Sequence, residues 1–129
     1  MSDAPSTDRQ RSILITGCSS GIGHHAAHAL KDRGWRVFAG VRKPEDVEAL
    51  ATDGIEAVHL DYDSPAIVAT AFYTVLDKAG GRLDALFNNG AYGQVGAIED
   101  LATDHLRAQF ETNVFGVHEL IRKVVPVMR

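Results

Sequence analysis

A nearly all-apolar run that stops at a glycine cluster and continues as a helix constrains this chain more than any other feature. Residues 12–16 read SILIT, residues 16–23 read TGCSSGIG, and beyond Gly21 the residues Ile22, Ala26, Ala29 and Leu30 recur at helical spacing before Gly34 as a C-cap. An apolar run without alternation is a strand buried on both faces, so the pattern predicts strand, glycine turn and helix. The same order then recurs with different residues. Residues 35–41 (WRVFAGV) form a second strand, and Pro44 opens a short helix with Glu45 and Asp46 at its positive end and Val47, Leu50 and Ala51 as its stripe. Residues 55–60 form the third strand. Ser64 and Pro65 start a helix carrying Ile67, Val68, Ala71, Phe72, Val75 and Leu76. Residues 83–87 form the fourth. Thr103 then caps one long helical segment holding Leu106, Phe110, Val114, Val117, Ile121, Val124 and Val125, interrupted late by Pro126.

Strands alternating with helices need crossover connections, which makes the sheet parallel with helices on both faces. The fold class is α/β, a Rossmann-like doubly wound sheet. With 129 residues there is room for one domain, expected over residues 12–129, and residues 1–11, rich in Ser, Asp, Pro and Arg, are expected to form a disordered tail. A net charge of −4 argues against a general nucleic-acid partner. No apolar run approaches the ~20 residues of a membrane span, and residues 1–10 lack a signal-peptide core. Cys18 is the only cysteine, which excludes an internal disulfide and any multi-cysteine metal site and agrees with a cytoplasmic location.

Doubly wound sheets bind ligands at the carboxyl ends of their strands, so residues 16–23, 41–43, 61–62 and 88–93 are the places where chemistry collects. In the first of these, bare backbone N–H groups and a positive helix end attract an anion. The glycines permit a tight turn, close approach of a diphosphate and close packing of helix on strand. No Lys follows the last glycine, which disfavours a triphosphate-gripping P-loop. The absence of acids from residues 16–23 speaks against methyltransferase-like and response-regulator-like domains. His24, His25 and His28 share a helix, but Ala26 stands where a metalloprotease helix has its general base, so no metal is expected. Cys18 reads as a small filler, although a helix N-terminus can activate a thiol.

The spacing Thr-Gly-x-x-x-Gly-x-Gly at residues 16–23 resembles the cofactor fingerprint of the short-chain dehydrogenase/reductase family, and residues 16–23 with 37–43 look most like its hydroxysteroid and retinol dehydrogenase type. Leu60-Asp61-Tyr62 resembles the family's third-strand end, whose Asp and following backbone hold adenine. Asn88-Asn89-Gly90-Ala91 resembles its Asn-Asn-Ala-Gly motif with the last two residues inverted, and Asn113-Val114-Phe115-Gly116 its catalytic-Asn segment. The resemblance implies strand order 3-2-1-4, a nicotinamide cofactor, and hydride transfer to or from a small alcohol or ketone. It further implies that Gly17, Ser19, Ser20, Gly21, Ile22 and Gly23 hold the pyrophosphate, Asp61 and Tyr62 the adenine, and Asn88 with Gly90 the ribose side. Asn113 is the one catalytic position carried over, where the family's Asn positions a water. By itself an Asn within a helix suggests exposure or a local kink.

An NAD-selecting acid is missing from residues 37–43, and Arg42 and Lys43 offer charge-assisted bonds to a phosphate, so NADP is expected over NAD; the same pair could also be a plain solvated basic pair. Ser20 could donate to the same phosphate. In the family a catalytic Tyr precedes a Lys by four, whereas Tyr62, Tyr73 and Tyr92 are followed at that spacing by Ala66, Asp77 and Gly96. The chain is therefore expected to hold the cofactor-binding half of such an enzyme, truncated before a fifth strand, and to be inactive alone. An alternative is a non-catalytic dinucleotide-binding sensor or interaction module. The family's helix pairing and an uncovered fourth strand point to a homo-oligomer.

Overall fold

The computed structural model describes residues 9–129. Four strands, β1 (Ser12–Ile15), β2 (Arg36–Val41), β3 (Glu56–His59) and β4 (Ala85–Phe87), form one parallel sheet in the order β3-β2-β1-β4. Ile13 pairs with Val37 on one side and Ala85 on the other, and Phe38 pairs with Glu56. The helices are α1 (Gly21–Asp32), α2 (Pro44–Thr52), α3 (Pro65–Lys78), α4 (Thr103–Phe110) and α5 (Val117–Met128).

The period-two geometry of a strand divides the apolar residues between two faces. Ile13, Ile15, Val37, Ala39 and Val41 pack with Ala27 of α1 and Leu50 of α2. Leu14, Phe38 and Val58 pack with Val68, Phe72 and Val75 of α3 and Leu120 and Val124 of α5. Phe38, Leu14 and Ile15 are wholly buried. This two-sided burial explains why the strands read as continuous apolar runs.

Local readings fail at identifiable places. The stripe expected on α1 began at Ile22, yet Ile22 is 72% exposed and the buried residues are Gly23 and Ala27. Small side chains one turn apart let the helix approach the sheet, and a bulky residue there would hold it off. Ala51 of α2 is likewise exposed. Thr103 is the first residue of α4 and makes no side-chain cap, the N-cap position being Ala102. The single long helix is divided by a π-helical turn, Glu111–Gly116, while Pro126 sits inside the last turn of α5, where its missing N–H leaves the Arg122 carbonyl without a ladder bond and little helix remains to be kinked. Residues 1–8 of the expected tail lie outside the described residues. Residues 9–11 are held to the body: Arg9 forms two bonds to Asp84, at 2.6 and 3.0 Å, Gln10 Nε2 donates to Gly34 O, and Arg36 N donates to Arg11 O.

Candidate functional site

The carboxyl ends of the strands open on a cleft of about 380 Å³. Its walls come from the glycine turn (Gly17, Ser19, Ser20), the end of β2 (Arg42, Lys43), the end of β3 (Asp61, Tyr62) and the loop after β4 (Asn89, Gly90).

At two positions, Gly17 and Gly23, the glycine turn is shaped by contacts that leave no space for a Cβ. Gly17 has φ +67°, and a Cβ there would lie 2.8 Å from Gly90 Cα. One built on Gly23 would lie 2.4 Å from Gly17 O and 2.6 Å from Asn89 Nδ2, which itself donates to Gly17 O at 3.2 Å. Helix α1 therefore touches the turn backbone to backbone, and Asn89 stitches both to the β4 loop. Ser20 is the N-cap residue of α1 but its hydroxyl caps nothing, and the first turn contains no acid. By contrast Ser64 at the start of α3 accepts from Ile67 N, and α2 begins with Pro44, Glu45 and Asp46. Of these helix ends, α1 alone presents its positive pole to the cleft without a competing side chain. Cys18 is fully buried inside the turn, with Sγ 3.2 Å from Ile15 O, and burial pushes its thiol up to about 12.

Below the cleft, a buried threonine organises the strand ends. Thr16 Oγ1 accepts from the backbone N–H groups of Asn89 and Gly90, each at 2.9 Å. Both lone pairs are then used, so the threonine proton goes to Tyr62 Oη, 2.8 Å away. The Tyr62 proton is left for Asn88 Oδ1. Burial raises the Tyr62 phenol to about 12, which keeps it protonated for this bond. One chain of hydrogen bonds thus joins the ends of β1, β3 and β4.

Arg42 and Lys43 are exposed at the cleft mouth, and among the described residues neither forms a salt bridge. Asp46 lines the same wall. Asn113 lies within the π-helical turn and uses its whole amide on one peptide: Oδ1 accepts from Tyr92 N at 3.1 Å, and Nδ2 donates to Tyr92 O at 2.6 Å. The histidines are engaged elsewhere: His28 lies 2.8 Å from His24 O through Nδ1 and 3.0 Å from Asp53 through Nε2, and His24 Nδ1 lies 3.3 Å from Cys18 O. Among the described residues no group of three or more His, Cys, Asp or Glu is placed to hold a metal ion.

A family model for short chain dehydrogenase matches residues 11–129. The chain belongs to the short-chain dehydrogenase family. It is 41% identical over 119 residues to the uncharacterized oxidoreductase YbbO of Escherichia coli K12, covering 92% of this chain and 44% of that protein. To 3-ketodihydrosphingosine reductase of Bacteroides thetaiotaomicron it is 33% identical, covering 91% of this chain and 42% of the relative. A short-chain dehydrogenase from Streptomyces avermitilis superposes with a TM-score of 0.85 at 35% identity, over 93% of this chain and 45% of that one. Actinorhodin polyketide ketoreductase, in a crystal structure with NADPH, superposes with a TM-score of 0.84 at 29% identity, over 92% and 48%. The chain thus spans less than half the length of these relatives.

Within this short-chain dehydrogenase fold, Gly17, Ser19, Ser20, Arg42, Lys43, Asp61, Tyr62 and Gly90 stand on the cleft wall. Gly21, Ile22, Gly23, Asn88 and Asn113 do not. Gly23 and Asn88 act beneath the wall, through packing and the tyrosine bond respectively. Tyr62 was expected through its backbone, yet its buried side chain is what connects the strand ends. Thr16 and Asn89 were missed as site residues. A wholly buried hydroxyl at a strand end was the available signal for Thr16, since such a group needs partners. Asn89 stood in the Asn88-Asn89-Gly90-Ala91 motif, but nothing local marked its bond to Gly17 O, 72 residues away. No helix of the described residues is long and apolar enough to cross a membrane.

Proposed function

We propose that residues 12–129 form the NADP(H)-binding part of a short-chain dehydrogenase/reductase that moves hydride between nicotinamide and a small alcohol or ketone. The observation that carries this reading is the uncapped, acid-free start of α1 facing a cleft whose far wall holds the unpaired cations Arg42 and Lys43. Gly17, Ser19 and Ser20, with the N–H groups of Gly21, Ile22 and Gly23, would meet the pyrophosphate. Arg42 and Lys43 would meet the 2′-phosphate, where an NAD-type site needs an acid. Asp61 and Tyr62 would border adenine, and Gly90, with Asn88 beneath it, the nicotinamide ribose. Bound nicotinamide supplies the hydride chemistry, and the chain supplies orientation and charge. The NADPH in the superposed ketoreductase supports this choice of cofactor.

Both amide atoms of Asn113 are tied to the Tyr92 peptide, so its side chain holds the loop after β4 against the π-helical turn. No Tyr-x-x-x-Lys occurs in the chain, so binding without turnover is the activity assigned to it. Phe110, Phe115, Ile121 and Val125, each at least 40% exposed, support self-association through α4 and α5. The test is calorimetry with NADPH and NADH. Wild type should favour NADPH, and Arg42→Ala should weaken NADPH about tenfold or more while leaving NADH nearly unchanged. Equal loss for both cofactors, or a wild-type preference for NADH, would refute the reading.

A further inference from the structure

The NADP reading leaves Tyr62 without a chemical task for its hydroxyl. Its side chain is nonetheless buried and closely hemmed in beside the cleft. On one side a Cβ at Gly90 would lie 2.9 Å from Tyr62 Cε2, so the ring occupies the space a methyl group would fill. On the other, a Cβ at Gly116 would lie 2.4 Å from Tyr62 Cβ and 2.6 Å from its backbone O, so the π-helical turn presses directly on the tyrosine backbone. Thr112 of that turn donates to Asp63, the next residue along. At its tip the hydroxyl sits between Thr16 and Asn88.

From this geometry we infer that Tyr62 is a positioning residue that sets the orientation of the Asn88–Asn89–Gly90 backbone and thereby the nicotinamide end of the cleft. The proton count makes the hydroxyl necessary. Thr16 takes two backbone N–H groups of that loop on its lone pairs, which leaves its own proton in need of an acceptor, and the acceptor is Tyr62 Oη. Removing the oxygen leaves the buried threonine proton and the half-buried Asn88 Oδ1 without partners, and a turn of the Asn88–Gly90 loop is the adjustment that satisfies them. The ring contact makes glycine necessary at position 90. This accounts for the Gly90-Ala91 order: the tyrosine and the glycine are one paired choice, with bulk moved from the loop to the end of β3. The proposed 2′-phosphate end of the cleft, at Arg42 and Lys43, forms no hydrogen bond with this group among the described residues. Its independence supplies the test.

The inference rests on the cofactor reading and is tested on the 129-residue chain with two ligands, NADPH and adenosine 2′,5′-bisphosphate, the latter lacking the nicotinamide mononucleotide half. Wild type should bind both. Tyr62→Phe removes only the buried hydroxyl and keeps the ring and the backbone that border adenine, so it should weaken NADPH about tenfold while leaving the bisphosphate within about twofold of wild type. Gly90→Ala should show the same split by the other route, and it carries the test should Tyr62→Phe fail to fold. Unchanged NADPH affinity in the variants, or equal loss of both ligands, would overturn the positioning role while leaving the cofactor site standing. A wild-type chain that binds neither ligand would overturn the cofactor reading and this inference with it.

Discussion

Replacing Gly23 with Ala tests the packing on which the candidate site is built. An ideal Cβ at this position falls 2.4 Å from Gly17 O and 2.6 Å from Asn89 Nδ2, against a floor near 3.0 Å for real Cβ contacts, so roughly 0.6 Å of movement is required. Neither neighbour can give way alone. One is backbone, the other is the amide that donates to that same carbonyl at 3.2 Å, and a methyl group between them breaks the bond they share. Overpacking of this kind costs about 1–3 kcal/mol and the lost bond about 1 kcal/mol more. For a chain of this size that corresponds to a fall in melting temperature of roughly 10 °C. Because the movement pushes α1 away from the turn, NADPH affinity should fall more than about tenfold. Gly21→Ala is the control: its Cβ meets nothing within 4 Å, and the penalty is confined to its φ of +61°, about 1–2 kcal/mol. Thermal melts and calorimetric titration of both variants decide the matter. A Gly23→Ala chain that melts with wild type, or above Gly21→Ala, would mean that α1 does not seat on the turn as described.

Other expectations concern charge and chemistry away from the turn. The Arg9 guanidinium, with the Ser12 N–H, holds the Asp84 carboxyl well below the usual carboxylate range, so its contribution is present above the unfolded value near ~4 and is lost as pH falls. Asp84→Asn should therefore lower the urea midpoint at pH 7 and flatten its decline in acid. His28 is shifted the other way: His24 O and then Asp53 favour the imidazolium, raising its pKa, so the stabilisation is full below about 6.5 and fades as pH rises through the folded value. His28→Ala should cost a few tenths of a kcal/mol at pH 6 and less at pH 8, read from the same urea midpoints. Buried Cys18, with its thiol near 12, should react with a disulfide reagent at pH 8 only as fast as the chain opens, and at once in urea; fast labelling of the folded chain would contradict its burial.

What could be read locally in the sequence, and what could not, divides along the distance between partners. Strand identity, order of elements and the Ser64 cap depend on neighbours within a few residues, and each is found in the structure. The Arg9–Asp84 pair and the Thr16–Tyr62 bond join residues 75 and 46 positions apart, so composition made the one a tail residue and a family pattern made Tyr62 a backbone contact. Asn113 was legible as a residue that disturbs a helix, and the helix does change to a π-helical turn there; its partner, the Tyr92 peptide, was not legible. The most telling case is Ser20. Serine at an N-cap ordinarily closes the helix end with its own oxygen, as Ser64 does in this chain. Ser20 has the residue type and the extended backbone for the same task, φ −159°, yet its hydroxyl makes no such bond. A favourable local interaction is thus forgone at a helix end that faces the cleft and has no acid in its first turn. An anion seated there would recover more than the missing cap, since several N–H groups and the helix dipole act on it together. The departure from local preference is what the proposed pyrophosphate site would require at this position.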